Sequence, residues 1–519
     1  MSPWSRRVLV AAVLAAAACH GGPPAAQFSI LAGSELKDLE PYFAQIRKQT
    51  GVSLQLQYSG TLAGIDRLNA GETFDAVWFS HAKYLVLSDA GRQRVKAEER
   101  IMLSPVVLGV KQSKARAFGW VDNPNVTWAD IAARVKAGQL HYAMTNPTAS
   151  NSGFSAVIGV AAALSRSASA LTEADINSAA LHDFFQGQTL TAGSSGWLAE
   201  TYTRDQDRLD GMINYESILL SLNRGGKLHE SLVLVYPKEG IVTADYPLVL
   251  LNEAKRDAYD RLVAFLRTAE FQKTIMTATF RRPVNSDVSL DPSFPKALIV
   301  ELPFPASLGV VDRILDSYLA EQRRPAHSYF LLDVSGSMEG PRVQQLETAL
   351  RTLVGGDSSL TGRFARFQPR ERVSMLTFSD RIEDRVEFDL GTGDQTTVTR
   401  GAIEQFIDSL KTGGRTALFS SLEETYRAAL DARTSDAQRY YSIVLMTDGE
   451  SNVGDHLADF RRFYESLPPD QRDIKVFPIV FGDADRDELT AIATVTGGRL
   501  FDGNTAALAA VFKEIRGYQ

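Results

Sequence analysis

The sequence predicts an α/β protein of two units, the second built on a doubly wound, mostly parallel sheet. Three observations predict this. Short apolar runs alternate with stretches of helical spacing along most of the chain. Several runs end in small, hydroxyl-rich turns that open the next helix, as in Ala32-Gly33-Ser34 and Asp333-Val334-Ser335-Gly336-Ser337. The length, 519 residues, exceeds what one hydrophobic core organises.

Composition narrows the function classes. Hydrophobic residues make up 44% and charged residues 23%, as in an ordinary globular protein. A net charge of −7, with no basic stripe interleaved with aromatics, argues against nucleic acid as a partner. The seven histidines are scattered and form no metal-binding pair.

Residues 1–19 read as a targeting segment. Arg6 and Arg7 precede an apolar run from Val8 to Ala18, followed by Cys19. That run is shorter than the roughly 20 residues needed to cross a bilayer, and no later run reaches that length. Cys19 is the sole cysteine, which excludes an internal disulfide and a cysteine zinc site. A lone Cys closing such a run resembles bacterial lipoproteins, which implies lipidation at Cys19 and a lipid-anchored place in the cell envelope. His20 after it implies the outer membrane or periplasm of a Gram-negative cell. The alternative is an ordinary cleavage site at Ala16-x-Ala18. Residues 20–26, with Gly21-Gly22-Pro23-Pro24, read as a tether.

The first unit spans residues 27–305. Phe28 to Leu31 predicts a strand entering Ala32-Gly33-Ser34, and Leu36, Leu39, Phe43 and Ile46 predict a helix over 36–49. Val52 to Tyr58 predicts a strand entering Ser59-Gly60-Thr61, and Phe74 to Phe79 another ending at Ser80. Such turns gather hydroxyls and helix N-termini, which attract anions, around a cleft. This order, with Tyr58-Ser59-Gly60, Phe74-Asp75-Ala76-Val77, Thr145-Asn146-Pro147 and Asn214-Tyr215-Glu216, resembles type II periplasmic solute-binding proteins, nearest the oxyanion receptors. The resemblance implies a bilobal domain, with lobe one over 27–108 and 232–287 and lobe two over 109–231. It implies ligand contacts at Ser34, Ser59 and Tyr215, with Ser152 as a further candidate. Each has a structural alternative, the serines as helix N-caps and Tyr215 as core. Residues 306–325 follow as a connector. Leu308, Val311, Ile314, Leu315 and Leu319 recur at helical spacing, which predicts a packed helix ended by Pro325.

The last unit spans residues 326–519. Strands are expected at 328–332, 372–378, 441–446, 474–481 and 498–501. Helices are expected at 343–353, 400–410, 418–430, 457–467, 486–494 and 505–515. This alternation predicts a sheet covered on both faces, with its ligand site beyond the carboxyl ends of the strands. Asp333, Ser335, Ser337, Thr416 and Asp448 fall at such ends or at helix starts. Two carboxylates and three hydroxyls make a hard oxygen set suited to Mg²⁺. Ser337 and Thr416 also suit N-caps, a compatible role.

The D-x-S-x-S at 333–337, the later Thr416 and the Thr447-Asp448-Gly449 resemble the metal-ion-dependent adhesion site of von Willebrand factor type A (VWA) domains, with a Rossmann-like fold. All five of that family's site positions are filled in chain order. The resemblance implies a divalent metal, Mg²⁺ first with Mn²⁺ or Ca²⁺ as alternatives, and a protein partner whose Asp or Glu completes its shell. An enzyme is the rival class. No G-x-x-x-x-G-K-[ST] or H-E-x-x-H occurs, and Ser335 stands where a phosphotransfer site would place a second acid. The expected function is therefore a non-enzymatic, lipid-anchored envelope protein that binds a protein through a metal. A transport receptor for an anion or small solute is the alternative, and a surface adhesin a third reading.

Overall fold

A computed structural model of the chain describes residues 26–165, 169–296 and 298–519. The targeting segment, Cys19 and nearly all of the tether lie outside the described residues. Among the described residues no helix is long and apolar enough to cross a membrane.

Two sheets form the first unit. One holds β1 (Ala26–Ala32), β2 (Val52–Tyr58), β3 (Ala76–Trp78) and β4 (Ala97–Arg100), joined later by β11 (Pro247–Leu250), in the order β2-β1-β3-β11-β4. β1 pairs in parallel with β2 and β3, so the turns after these strands gather at one edge. The other sheet runs through β5 (Met102–Lys111), β6 (Tyr142–Thr145), β7 (Gln188–Ala192), β8 (Gly211–Tyr215) and β10 (Thr243–Ala244), in the order β10-β5-β8-β6-β7. β9 (Leu232–Val235) and β12 (Arg282–Pro283) also pair with β5.

The chain crosses between sheets near Ile101, returns near Asp245 and crosses again between Leu250 and Arg282. β5 is one ten-residue apolar strand, and it pairs with β8 and β9 over its second half and with β10 and β12 near its start. β9 pairs with the same half of β5 as β8 does, so residues 232–235 lie with lobe two and not lobe one. The helix expected over 36–49 divides into a 3-10 segment, Ser34–Tyr42, and an α-helix, Phe43–Thr50. Pro41 lies inside the first part and has no N–H for the helical ladder.

The connector forms the helix Leu308–Ser317, continued by a wide turn over Tyr318–Gln322. Ser307 caps it, accepting a hydrogen bond from Val310 N. Val311, Ile314, Leu315 and Tyr318 are fully buried in the core of the first unit.

The last unit is a six-stranded sheet of β13 (Ala326–Asp333), β14 (Arg372–Phe378), β15 (Ile382–Asp389), β16 (Tyr440–Thr447), β17 (Lys475–Val480) and β18 (Phe501–Asp502). The order is β15-β14-β13-β16-β17-β18, parallel except for β15 at the edge. β13 is buried at every position. Its alternate residues divide between two cores, because successive strand side chains point to opposite faces. Phe330 and Leu332 pack with Leu346 and Phe512, whereas Tyr329 and Leu331 pack with Leu422 and Phe460.

Candidate metal centre

β13 and β16 are neighbours in register, Leu332 opposite Met446, so their carboxyl ends deliver Asp333 and Asp448 to the same rim of the sheet. Both carboxylates are fully buried. Asp333 Oδ1 accepts a 2.8 Å hydrogen bond from Ser335 N, and Oδ2 accepts one of 2.6 Å from Thr447 Oγ1. Ser335 Oγ lies 3.0 Å from Ser337 Oγ, and Ser337 Oγ donates to Asp448 Oδ1 at 2.7 Å. Four of the five expected residues thus form one bonded chain.

Thr416 arrives from the opposite side. Gly413 N donates to Val334 O and Gly336 N donates to Gly414 O, which ties its loop to the first one. Gly413 and Gly414 both have positive φ, 159° and 80°, and the second lies where a β-carbon is strained. Thr416 N donates to Asn452 Oδ1 at 3.0 Å. A β-carbon built at Gly449 would lie 3.6 Å from Ser337 Oγ and 3.9 Å from Thr416 Oγ1, so both hydroxyls face the same small residue.

Two buried carboxylates meet at this rim, and a guanidinium stands beside one of them. Burial pushes the Asp333 carboxyl up; hydrogen bonds from Ser335 and Thr447 oppose this, and the neighbouring Asp448 adds to it. Sequence reasoning missed Arg342. Its Nη1 donates to Asp448 Oδ2 at 2.6 Å and its Nη2 to Asp483 Oδ2 at 2.8 Å. Asp448 therefore turns one oxygen toward Ser337 and spends the other on a guanidinium. Among the described residues, no cluster of three His, Cys, Asp or Glu side chains could hold a metal unaided. The two acids need the hydroxyls beside them, and such an all-oxygen set fits a hard divalent ion that keeps outside ligands.

The four residues expected at the solute cleft sit in different surroundings. Ser34 is exposed at the start of its 3-10 segment, and Ser59 is half-buried, its N donating to Ala32 O. Ser152 is fully buried and engaged inside lobe two, 2.7 Å from Ser195 Oγ and 2.9 Å from Thr145 Oγ1. Tyr215 does reach across, its hydroxyl 3.4 Å from Glu35 Oε1. Other residues bridge the lobes. Asn151 Oδ1 accepts from Thr61 N at 2.9 Å, and its Nδ2 donates to Glu35 Oε1 at 3.3 Å. The helix Thr61–Asn69 begins after Gly60, which offers no side-chain cap, so a residue 90 positions away supplies one. Burial pushes the Glu35 carboxyl up, against Asn151 and Arg281. Ser80 lies beside the Tyr215 hydroxyl, and Tyr246 lies against the buried Arg281 guanidinium.

Comparison with known proteins agrees with both resemblances. Residues 329–514 match the family model described as von Willebrand factor type A domain, and residues 30–281 match that of bacterial extracellular solute-binding protein. No curated protein matches the chain. Among solved structures, the chain is similar to the periplasmic binding protein AfuA from Actinobacillus pleuropneumoniae at 14% identity and a TM-score of 0.43, covering 57% of this chain and 98% of that one. It is similar to a ferric binding protein from Campylobacter jejuni at 12% identity and a TM-score of 0.40, covering 56% and 96%. A von Willebrand factor type A protein from Catenulispora acidiphila matches at 18% identity and a TM-score of 0.30, over 38% of this chain and 43% of that one. The chain thus carries a bacterial solute-binding domain followed by a von Willebrand factor type A domain.

Proposed function

We propose that the chain is an exported, lipid-anchored envelope protein that binds a protein partner through a divalent metal at the rim of the VWA sheet. The carrying observation is the bonded chain of Asp333, Ser335, Ser337 and Asp448, with Thr416 facing it. A bound Mg²⁺ supplies a Lewis-acidic centre to which a carboxylate oxygen from outside can be ligated. Asp333, Ser335 and Ser337 hold it from the first loop, and Thr416 and Asp448 complete the protein's share directly or through water. Asp333 and Asp448 balance a divalent ion, and the added positive charge of Arg342 favours an Asp or Glu of the partner as the further ligand. The protein acts as a binding module, not a catalyst.

Affinity capture from envelope extract, with and without Mg²⁺, tests this reading. A protein retained by wild type in Mg²⁺ and lost with EDTA or with Asp448→Ala supports it. Retention that ignores both changes defeats it. Cys19→Ala should release the protein from the membrane fraction if the anchor is a lipid.

A receptor for a small solute is the second reading, favoured by the polar set of Glu35, Asn151, Tyr215 and Arg281 gathered where the lobes meet. A thermal-shift screen on the full chain discriminates, because a specific shift with one solute class supports transport and silence across a broad panel favours docking.

A further inference from the structure

We propose that the cavity at the seam between lobe two and the base of the VWA sheet is an anion site, taking a small organic polyanion whose phosphate groups bridge the two domains. The cavity has a volume of about 420 Å³, in the range that holds small organic ligands. Its walls come from three parts of the chain. Arg208 enters from lobe two, Arg324 from the end of the connector, and Arg433, Arg439 and Lys475 from the VWA domain. Against these five cations the lining holds two side-chain carboxylates, Asp205 and Asp473.

The carboxylates do not neutralise the cluster. Asp205 Oδ2 is 2.9 Å from Lys475 Nζ and is shared with Arg204. Asp473 is shared by Arg433 and Arg208, the latter at 4.0 Å. Arg439 leans on Asp436, outside the lining, at 2.7 Å. Arg324 has no ion-pair partner among the described residues, and its Nε reaches the Gln186 carbonyl at 3.3 Å. Burial pushes the Lys475 ammonium down to about 8, opposed by Asp205. Burial also lowers the Arg433 guanidinium, and Arg208 adds to this. Positive charge is therefore crowded into a partly closed space, and an added anion relieves it. Phosphate is the preferred anionic group because planar guanidinium forks match its oxygens.

The site lies opposite the metal rim. Tyr440 and Lys475 stand at the amino ends of β16 and β17, whereas Asp448 follows the carboxyl end of β16. Seven residue steps of strand put these ends about 23 Å apart. The anion site can thus be tested in metal-free buffer, independently of the metal reading.

The experiment titrates the full chain with pyrophosphate, inorganic phosphate, citrate and sulfate at matched low ionic strength, reading thermal stability and calorimetric heat. Wild type is compared with Arg324→Gln and Arg208→Gln, whose folding is checked by circular dichroism. The expected result is saturable stabilisation by pyrophosphate, stronger than by inorganic phosphate, weakened at least tenfold in each variant and weakened by added salt. No saturable response to pyrophosphate overturns the proposal. So does a response that sulfate copies and that both folded variants retain. Citrate binding as tightly as pyrophosphate overturns the choice of phosphate.

Discussion

Arg342 sits between Asp448 and Asp483, and its guanidinium occupies the oxygen of Asp448 that faces away from Ser337. A fixed positive charge there repels an incoming divalent ion while it orients the carboxylate. Arg342→Gln should tighten Mg²⁺ binding by up to about tenfold, since removing one partly screened neighbouring charge is worth on the order of 1 kcal/mol. Calorimetry on both proteins checks this, and weaker binding in the variant would show that orientation outweighs repulsion. A second buried charge cluster serves structure. Glu371, 1% exposed at its side chain, binds both Arg323 at the end of the connector and Arg516 of the C-terminal helix. Burial works to raise the Glu371 carboxyl, but the Arg516 and Arg323 guanidiniums outweigh it and hold it below the usual range. A depressed folded-state pKa gives stability that is present above the unfolded value near 4.5 and lost as pH falls through the folded one. Glu371→Gln should cost about 3–5 kcal/mol at neutral pH, by leaving two buried guanidiniums short of an acid. Denaturant unfolding at pH 7 and pH 3 tests it, with the gap between wild type and variant narrowing in acid.

At the scale of elements, the helix Thr61–Asn69 depends on a cap from the other lobe. Asn151→Ala should cost about 0.5–2 kcal/mol, the usual worth of an N-cap, and should speed hydrogen exchange at Thr61 N without disturbing the VWA domain. Equal exchange in both proteins would mean that water replaces the cap at no cost. The element pattern was legible where burial is regular. β2 and β14 lie at the expected residues, and β13, β16 and β17 differ from expectation only at their ends, because each is an apolar run bounded by turns. β15 was not legible. Ile-Glu-Asp-Arg-Val-Glu-Phe-Asp is an exposed, charged edge strand, the composition that protects an edge from pairing with other chains. The helix Leu360–Ala365 was missed because six residues are too few for a periodic signal. The meeting of Asp333, Ser335, Ser337 and Asp448 at one rim was legible because they follow strand ends in recognisable strings. Arg342, Glu35 and Asn151 were not, since their partners come from distant segments and no local spacing points to them.

Across the whole molecule, the VWA domain touches both lobes of the solute-binding domain. Asp66 of lobe one accepts hydrogen bonds from Leu360 N, Thr361 N and Thr361 Oγ1, and Phe364 joins the first unit's core. On the lobe-two side, Trp197 packs edge-on against Tyr518 at 4.9 Å, and Lys475 pairs with Asp205. Lobe opening must therefore break one of these two contacts, and hinge motion is costlier than in a free bilobal domain. Asp66→Ala should release the lobe-one contact, seen as a larger radius of gyration by X-ray scattering and faster exchange at Leu360 and Thr361. An unchanged radius would place the lock elsewhere. The rim proposed to hold the metal lies at the opposite ends of β16 and β17 from the lobe-two contact. Calorimetric titration of the purified chain with Mg²⁺ tests that rim most directly. One ion should bind per wild-type chain, with binding lost in Asp333→Ala and weakened in Ser337→Ala. Equal uptake by all three proteins would contradict the assignment of these oxygens to a metal.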